Sequence, residues 1–152
     1  MIKVVEERLC DTVKATGVIS DEYLINAINR YAMEAGISVT VEKDQIKVGS
    51  GLFVKSEPCI AVYNSQFKSK YYNYDIVQRQ QGNYVFISMY MGGDSANYKK
   101  KVLADNAKKN GSFFMGGLMG PNHKKHQEEY AYYDIVKQVI GNAIYSSGVI
   151  LK

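Results

Sequence analysis

Two histidines are the first candidates for metal chemistry. His123 and His126 lie three residues apart in a helical pattern, so they share a helix face, which Glu129 or Tyr130 could complete as a zinc or nickel site. A catalytic zinc site needs three protein ligands, and the H-E-x-x-H pattern is absent. Both histidines also stand in a polar run, KKHQEE. We therefore interpret them as solvated residues, and we predict no metal site and no cofactor.

The serine and cysteine residues show no signature of a nucleophile. No G-x-S-x-G motif occurs, and Cys10 and Cys59 are far apart and outside any C-x-x-C motif. Such cysteines typically behave as small, buried hydrophobic residues. A nucleophile needs a base beside it in space, which a sequence alone does not reveal. We expect a chain without catalytic activity, and a small hydrolase or isomerase with a spatially assembled site stays open as an alternative.

A glycine-rich segment, GSFFMGGLMG, precedes the last helical pattern at residues 111–120. Glycine loops before a helix attract phosphates through backbone N–H groups, and Lys124 and Lys125 follow closely. However, neither phosphate-loop motif is present, and Phe113 and Phe114 make the segment apolar. Two interpretations follow: a buried connection, or an apolar lip that contacts a hydrophobic ligand or a second subunit.

Five lysines cluster in a helix that the pattern predicts from about residue 95 to 109: Lys99, Lys100, Lys101, Lys108 and Lys109. Residues 77–152 hold ten Lys or Arg and five Asp or Glu. Lysines that neutralise phosphates can bind a nucleic acid or another anionic surface. Arginine, which dominates the reading of bases, is scarce, and AT-rich codons could explain the abundance of Lys and Tyr. A solvated helix face is the competing interpretation.

Aromatic residues gather in a predicted hairpin between residues 71 and 91, with Gly82 at its turn. Because side chains alternate along a strand, Tyr74, Ile76, Val85 and Ile87 share an apolar core face. The opposite face, here called the mixed face, carries residues 73, 75, 77 and 79 beside 84, 86, 88 and 90. Its mixture of aromatic and charged side chains is typical of interface anchors and of ligand pockets. Its candidate binding residues are Asp75, Arg79, Tyr84, Phe86 and Tyr90.

Apolar spacing predicts the elements that must position these residues. Ile2, Val5, Leu9 and Val13 predict a helix over residues 2–15, and a second helix runs from an N-cap at Ser20 to Gly36. Strands are predicted over residues 37–41, 46–48, 52–54 and 59–63, with a turn at 43–45. A last helix runs from residue 122 to about 147, and close approach of another backbone would explain Gly141 within it.

The order of helices, then strands, then helices predicts an α+β fold, because alternating β-α-β units are absent. We expect an antiparallel sheet of four or five strands, with N-terminal and C-terminal helices packed mainly on one face. The 152 residues, 46% of them hydrophobic, 22% charged and with a net charge of +4, suit a single globular domain spanning residues 1–152.

The expected location is the cytoplasm. No apolar run approaches the roughly 20 residues of a membrane span, and charged residues near the start of the chain argue against a signal peptide. The leading hypothesis is a non-catalytic module that binds a partner protein or a small ligand through the mixed face, with Phe113 and Phe114. The protein partner could be a second copy of the chain. Binding of nucleic acid or an anionic surface by the lysine cluster is the first alternative.

Overall fold

A computed structural model describes residues 2–4, 9–48, 55–64, 73–92 and 121–151. In chain order, these ranges contain β1 (Ile2–Val4), β2 (Leu9–Ala15), α1 (Asp21–Glu34), β3 (Thr40–Val48), β4 (Lys55–Tyr63), β5 (Asn73–Gln81), β6 (Tyr84–Gly92) and α2 (Pro121–Ser146). The predicted α+β class is confirmed.

The described strands form one sheet in the order β1-β3-β4-β5-β6-β2. Every paired neighbour among β2 to β6 is antiparallel, and the three-residue β1 runs parallel to β3 at one edge. Pro58 lies inside β4, opposite Gln45 of β3 and beyond the recorded β4–β5 ladder. Proline has no N–H to donate, so it fits a stretch of strand that is paired on one side.

Local sequence explains the ends of α1. The Ser20 side chain accepts a hydrogen bond from the Tyr23 N–H at 3.1 Å, and Asp21 and Glu22 favour the positive end of the helix dipole. Gly36 follows the helix with a φ of 72°, in the left-handed region that glycine adopts without strain. The predicted second helix is therefore confirmed at both ends.

The predicted hairpin is also confirmed. Gln81 of β5 pairs with Tyr84 of β6, which leaves Gly82 and Asn83 as a two-residue turn. Gly82 has a φ of 62°, as such a turn requires. This register puts the side chains on the two faces that the sequence predicts.

Both helices pack on the apolar face of the sheet. One core cluster joins buried residues of both helices to Ile60, Tyr74, Ile76 and Ile87. The Gln78 side chain fixes the entry to α1, because it accepts from the Ile19 N–H and donates to the Ile19 carbonyl, each at 2.8 Å.

Tyrosines of α2 bind the chain at the end of β4 and before β3. Tyr133 is buried, and its hydroxyl accepts a hydrogen bond from the Asn64 N–H at 3.0 Å. Tyr132 donates to the carbonyl of Ser38. These bonds fix the helix over one end of the sheet.

Residues 149–151 pair with the C-terminal end of β2, on its outer edge. The Thr16 N–H donates to the Val149 carbonyl at 2.8 Å, and the Leu151 N–H donates to the Lys14 carbonyl at 2.9 Å. An antiparallel bridge between Ala15 and Ile150 lies between these bonds.

Two predictions of secondary structure are wrong. The helix predicted over residues 2–15 is replaced by β1 and β2, because β-branched Val4, Thr12 and Val13 suit strands that pair with β3 and β6. The turn predicted at residues 43–45 lies within β3, whose polar side chains alternate between the two faces. None of the described helices combines the length and apolar character needed to cross a membrane.

Candidate functional site

Strand pairing extends the mixed face across the sheet. Asp75 pairs with Ala61 of β4 on one side and with Tyr90 of β6 on the other. Cys59 lies two residues before Ala61 on the same face and pairs with Asp44 of β3. The sheet therefore brings the carboxyl groups of Asp75 and Asp44 and the thiol of Cys59 onto neighbouring strands of one face.

Asp75 is fully buried, with 0% of its surface exposed. Within the described part of the chain, neither oxygen of its carboxyl group has a hydrogen-bond partner, and the same is true of the Asn73 side-chain oxygen. Asn73 is also buried and lies two residues away on the same face, roughly 7 Å along the strand. Buried polar atoms are normally paired, so two such residues side by side mark an unusual site.

Burial raises the pKa of Asp75 to about 8, and the negative charge of Asp44 adds to the increase. Desolvation disfavours the ionised form, and a like charge nearby has the same effect. Asp75 is therefore mostly a neutral carboxylic acid at pH 7. In that form it can donate one hydrogen bond and accept others.

Cys59 is a free and buried cysteine. Burial raises the pKa of its thiol far above the ordinary value, and the charges of Asp75 and Asp44 add to the increase. A cysteine nucleophile needs the opposite, a positive environment that favours the thiolate. This thiol is therefore chemically inert, in agreement with its interpretation as a buried hydrophobic residue.

Arg79 is held beside Tyr90 and Glu57. Its Nε donates to a Glu57 carboxylate oxygen at 2.7 Å, and its Nη1 donates to the Tyr90 hydroxyl at 3.1 Å. The guanidinium carbon also lies 5.7 Å from the centre of the Tyr90 ring. These contacts fix the Tyr90 ring beside Asp75, so Arg79 helps to position the site.

The remaining two predicted hairpin residues lie at the turn end of the mixed face. Tyr84 pairs with Gln81 and is 48% exposed, and Phe86 is half-buried opposite Arg79. Asp75 and Tyr90 are therefore buried, Arg79 is half-buried where it contacts Tyr90, and Tyr84 and Phe86 form a more accessible pair at the turn end.

Other predicted residues lie outside the described residues. These are the two phenylalanines Phe113 and Phe114 and the five lysines Lys99, Lys100, Lys101, Lys108 and Lys109, so their roles stay predictions. His123 and His126 fall within α2, where only their backbone is described. Among the described side chains, no group of three His, Cys, Asp or Glu residues could hold a metal ion.

Sequence reasoning missed the part of the site that β3 and β4 contribute. The sequence pattern predicts a turn at Asp44, whereas the structure pairs Asp44 with Cys59 within the sheet. Side chains alternate along β4, so Glu57 and Cys59 lie on one face. The sequence would predict this if the strand were extended through Pro58.

Comparison of the chain with protein-family models, curated proteins and solved structures finds no match. Its function is therefore inferred from its own residues.

Proposed function

We propose that this chain is a non-catalytic cytoplasmic module that binds a small, uncharged, hydrogen-bonding molecule at Asp75 and Asn73 on the mixed face. The single observation that carries the proposal is the buried carboxyl group of Asp75 without a hydrogen-bond partner among the described residues. Leaving such a group unpaired costs roughly 1–3 kcal/mol of folding free energy. A ligand that supplies the missing partners recovers this free energy on binding.

The protonation of Asp75 defines the chemistry of the ligand. A neutral carboxylic acid offers a donor and an acceptor side by side, which match the N–H and C=O of an amide, a lactam or a heteroaromatic ring. The Asn73 oxygen can accept from a second donor. The Tyr90 ring, held by Arg79, supplies an aromatic wall.

The test begins with native mass spectrometry of gently purified protein, followed by an NMR screen of amide, lactam and heteroaromatic fragments. Asp75→Leu replaces the carboxyl group by an apolar side chain of similar size. We expect this variant to be more stable by about 1–3 kcal/mol, because the unpaired group is gone. We also expect it to lose the extra mass and the fragment binding of the wild type.

Asp134→Leu is the matched control, because Asp134 is an exposed aspartate on α2. It should leave ligand binding unchanged. The proposal is wrong if the wild type carries no extra mass and binds none of the fragments, or if Asp75→Leu binds them as well as the wild type does.

The accessible pair favours a second candidate, association with a partner protein. Tyr84 is 48% exposed, and Phe86 lies two residues away on the same face. Exposed aromatic residues often anchor protein interfaces. Changing both to Ser should abolish any dimer seen by light scattering and leave ligand binding at Asp75 intact. An unchanged assembly would exclude this surface as the interface.

A further inference from the structure

The helix-covered side of the sheet contains a cavity of about 90 Å3 between α2, β2 and β6. Its wall is formed by five apolar residues: Val13, Ile87, Met89, Ile140 and Ile144. Val13 and Ile87 are paired neighbours in the sheet, so the floor of the cavity is fixed by strand register. This site lies on the face opposite the Asp75 carboxyl group.

Gly141 creates part of this space. It lines the cavity, and a methyl group placed on its Cα would meet no atom of the other described elements within 4 Å. Among the described residues, no other backbone makes the close approach to Gly141 that the sequence analysis suggested. Glycine in a helix interior costs about 1 kcal/mol of stability relative to alanine. At this position the glycine leaves the cavity open, and any larger residue would reduce the cavity volume.

Charged residues lie at the mouth of the cavity. Asp11 and Lys137 both line it and are exposed, whereas Ile87 and Ile140 are buried. The exposed ring of Tyr145 completes the rim. The cavity therefore opens to solvent beside one negative and one positive charge.

We propose that this cavity binds a free α-amino acid with an aliphatic side chain of about four carbons, such as leucine. An apolar cavity of about 150 Å3 holds benzene, so by proportion about 90 Å3 holds roughly four carbons. The ammonium group of the ligand lies at Asp11 and its carboxylate at Lys137. Both charges of the zwitterion then have an opposite partner at the rim.

The test is titration of methyl-labelled protein with leucine, followed by NMR of the methyl groups of Ile87, Met89, Ile140 and Ile144. We expect saturable shifts at these methyls. Two analogues each retain one charge, 4-methylpentanoate and 3-methylbutylamine, and each should bind about twofold to fivefold more weakly than leucine, because exposed ion pairs contribute little. Lys137→Ala should reduce leucine affinity by a similar factor and leave affinity for the amine unchanged.

Gly141→Val fills the cavity and should weaken leucine binding at least tenfold. Valine has a higher helix propensity than glycine, so we expect the variant to fold. If it does not fold, Gly141→Ala provides the same comparison with a smaller expected loss. The proposal is overturned if leucine gives no saturable shifts, if the filled variants bind it as tightly as the wild type, or if both one-charge analogues bind as well as leucine.

Discussion

Replacing Asp75 by Asn tests the protonation of the buried site. In the folded chain the carboxyl pKa is about 8, whereas an aspartate in an unfolded chain has a pKa of about 3.9. Between these values the folded state holds a proton that the unfolded state has released. Unfolding therefore releases a proton, and the contribution of Asp75 to stability falls as the pH rises, levelling off above about pH 8.

One proton corresponds to about 1.4 kcal/mol per pH unit. Between pH 5 and pH 7 the wild type should therefore lose about 2–3 kcal/mol relative to Asp75→Asn, whose side chain does not titrate. Urea unfolding of both proteins at each pH unit from 5 to 9 measures this quantity. Groups that titrate in both proteins contribute equally to the two unfolding free energies, so their effect cancels in the difference.

Two further variants sharpen the assay. Asp44→Asn removes the like charge that raises the pKa of Asp75, so the difference should level off at a lower pH. Asp134→Asn, at an exposed position of α2, controls for the loss of a carboxylate elsewhere. If the difference between wild type and Asp75→Asn is constant or rises with pH, Asp75 is ionised in the fold and the reasoning from its burial is refuted.

Three other variants test the rest of the structure. Gly141→Ala should raise the free energy of unfolding by about 1 kcal/mol, measured by urea denaturation, because alanine favours the helix and its methyl group would touch no other described element. A loss of stability would contradict the open space at this position. Gln78→Leu should lower the free energy of unfolding by about 2 kcal/mol in the same assay, because the Ile19 N–H and carbonyl both lose their hydrogen bonds to the Gln78 side chain. A change below about 0.5 kcal/mol would show that water replaces these bonds. In a Cys10→Ser background, Cys59 of the folded protein should react with iodoacetamide at least about 100-fold more slowly than a cysteine peptide, because its thiolate form is suppressed. Unfolding in urea should restore the reaction, and rapid labelling of the folded protein would count against the burial of Cys59.

The predictions made from the sequence are correct where neighbouring residues determine the structure. The serine cap at residue 20, the left-handed Gly36 and the turn at Gly82 each depend on a few adjacent residues. The hairpin faces followed from alternation once that turn was placed. These features need no knowledge of distant parts of the chain.

Sequence failed where pairing between distant strands decides structure. Residues 2–15 have apolar spacing that also fits a helix, and only pairing with β3 and β6 selects strands. The setting of Asp75 depends in the same way on its position beside Ala61, and on the position of Asp44 opposite Cys59. The burial of this hairpin aspartate was therefore invisible, although the sequence had named it as a binding residue.

The hydrogen bonds between β2 and residues 149–151 also bear on self-association. An exposed strand edge is a template on which another chain can add a strand, and this is a common route to aggregation. Here the Lys14 carbonyl and the Thr16 N–H on the outer edge of β2 are already occupied by the chain's own last described residues. At the opposite edge, the described residues contribute the three-residue strand β1. Loss of residues 149–151 would therefore free the backbone groups at the C-terminal end of β2 for pairing with a strand of another chain.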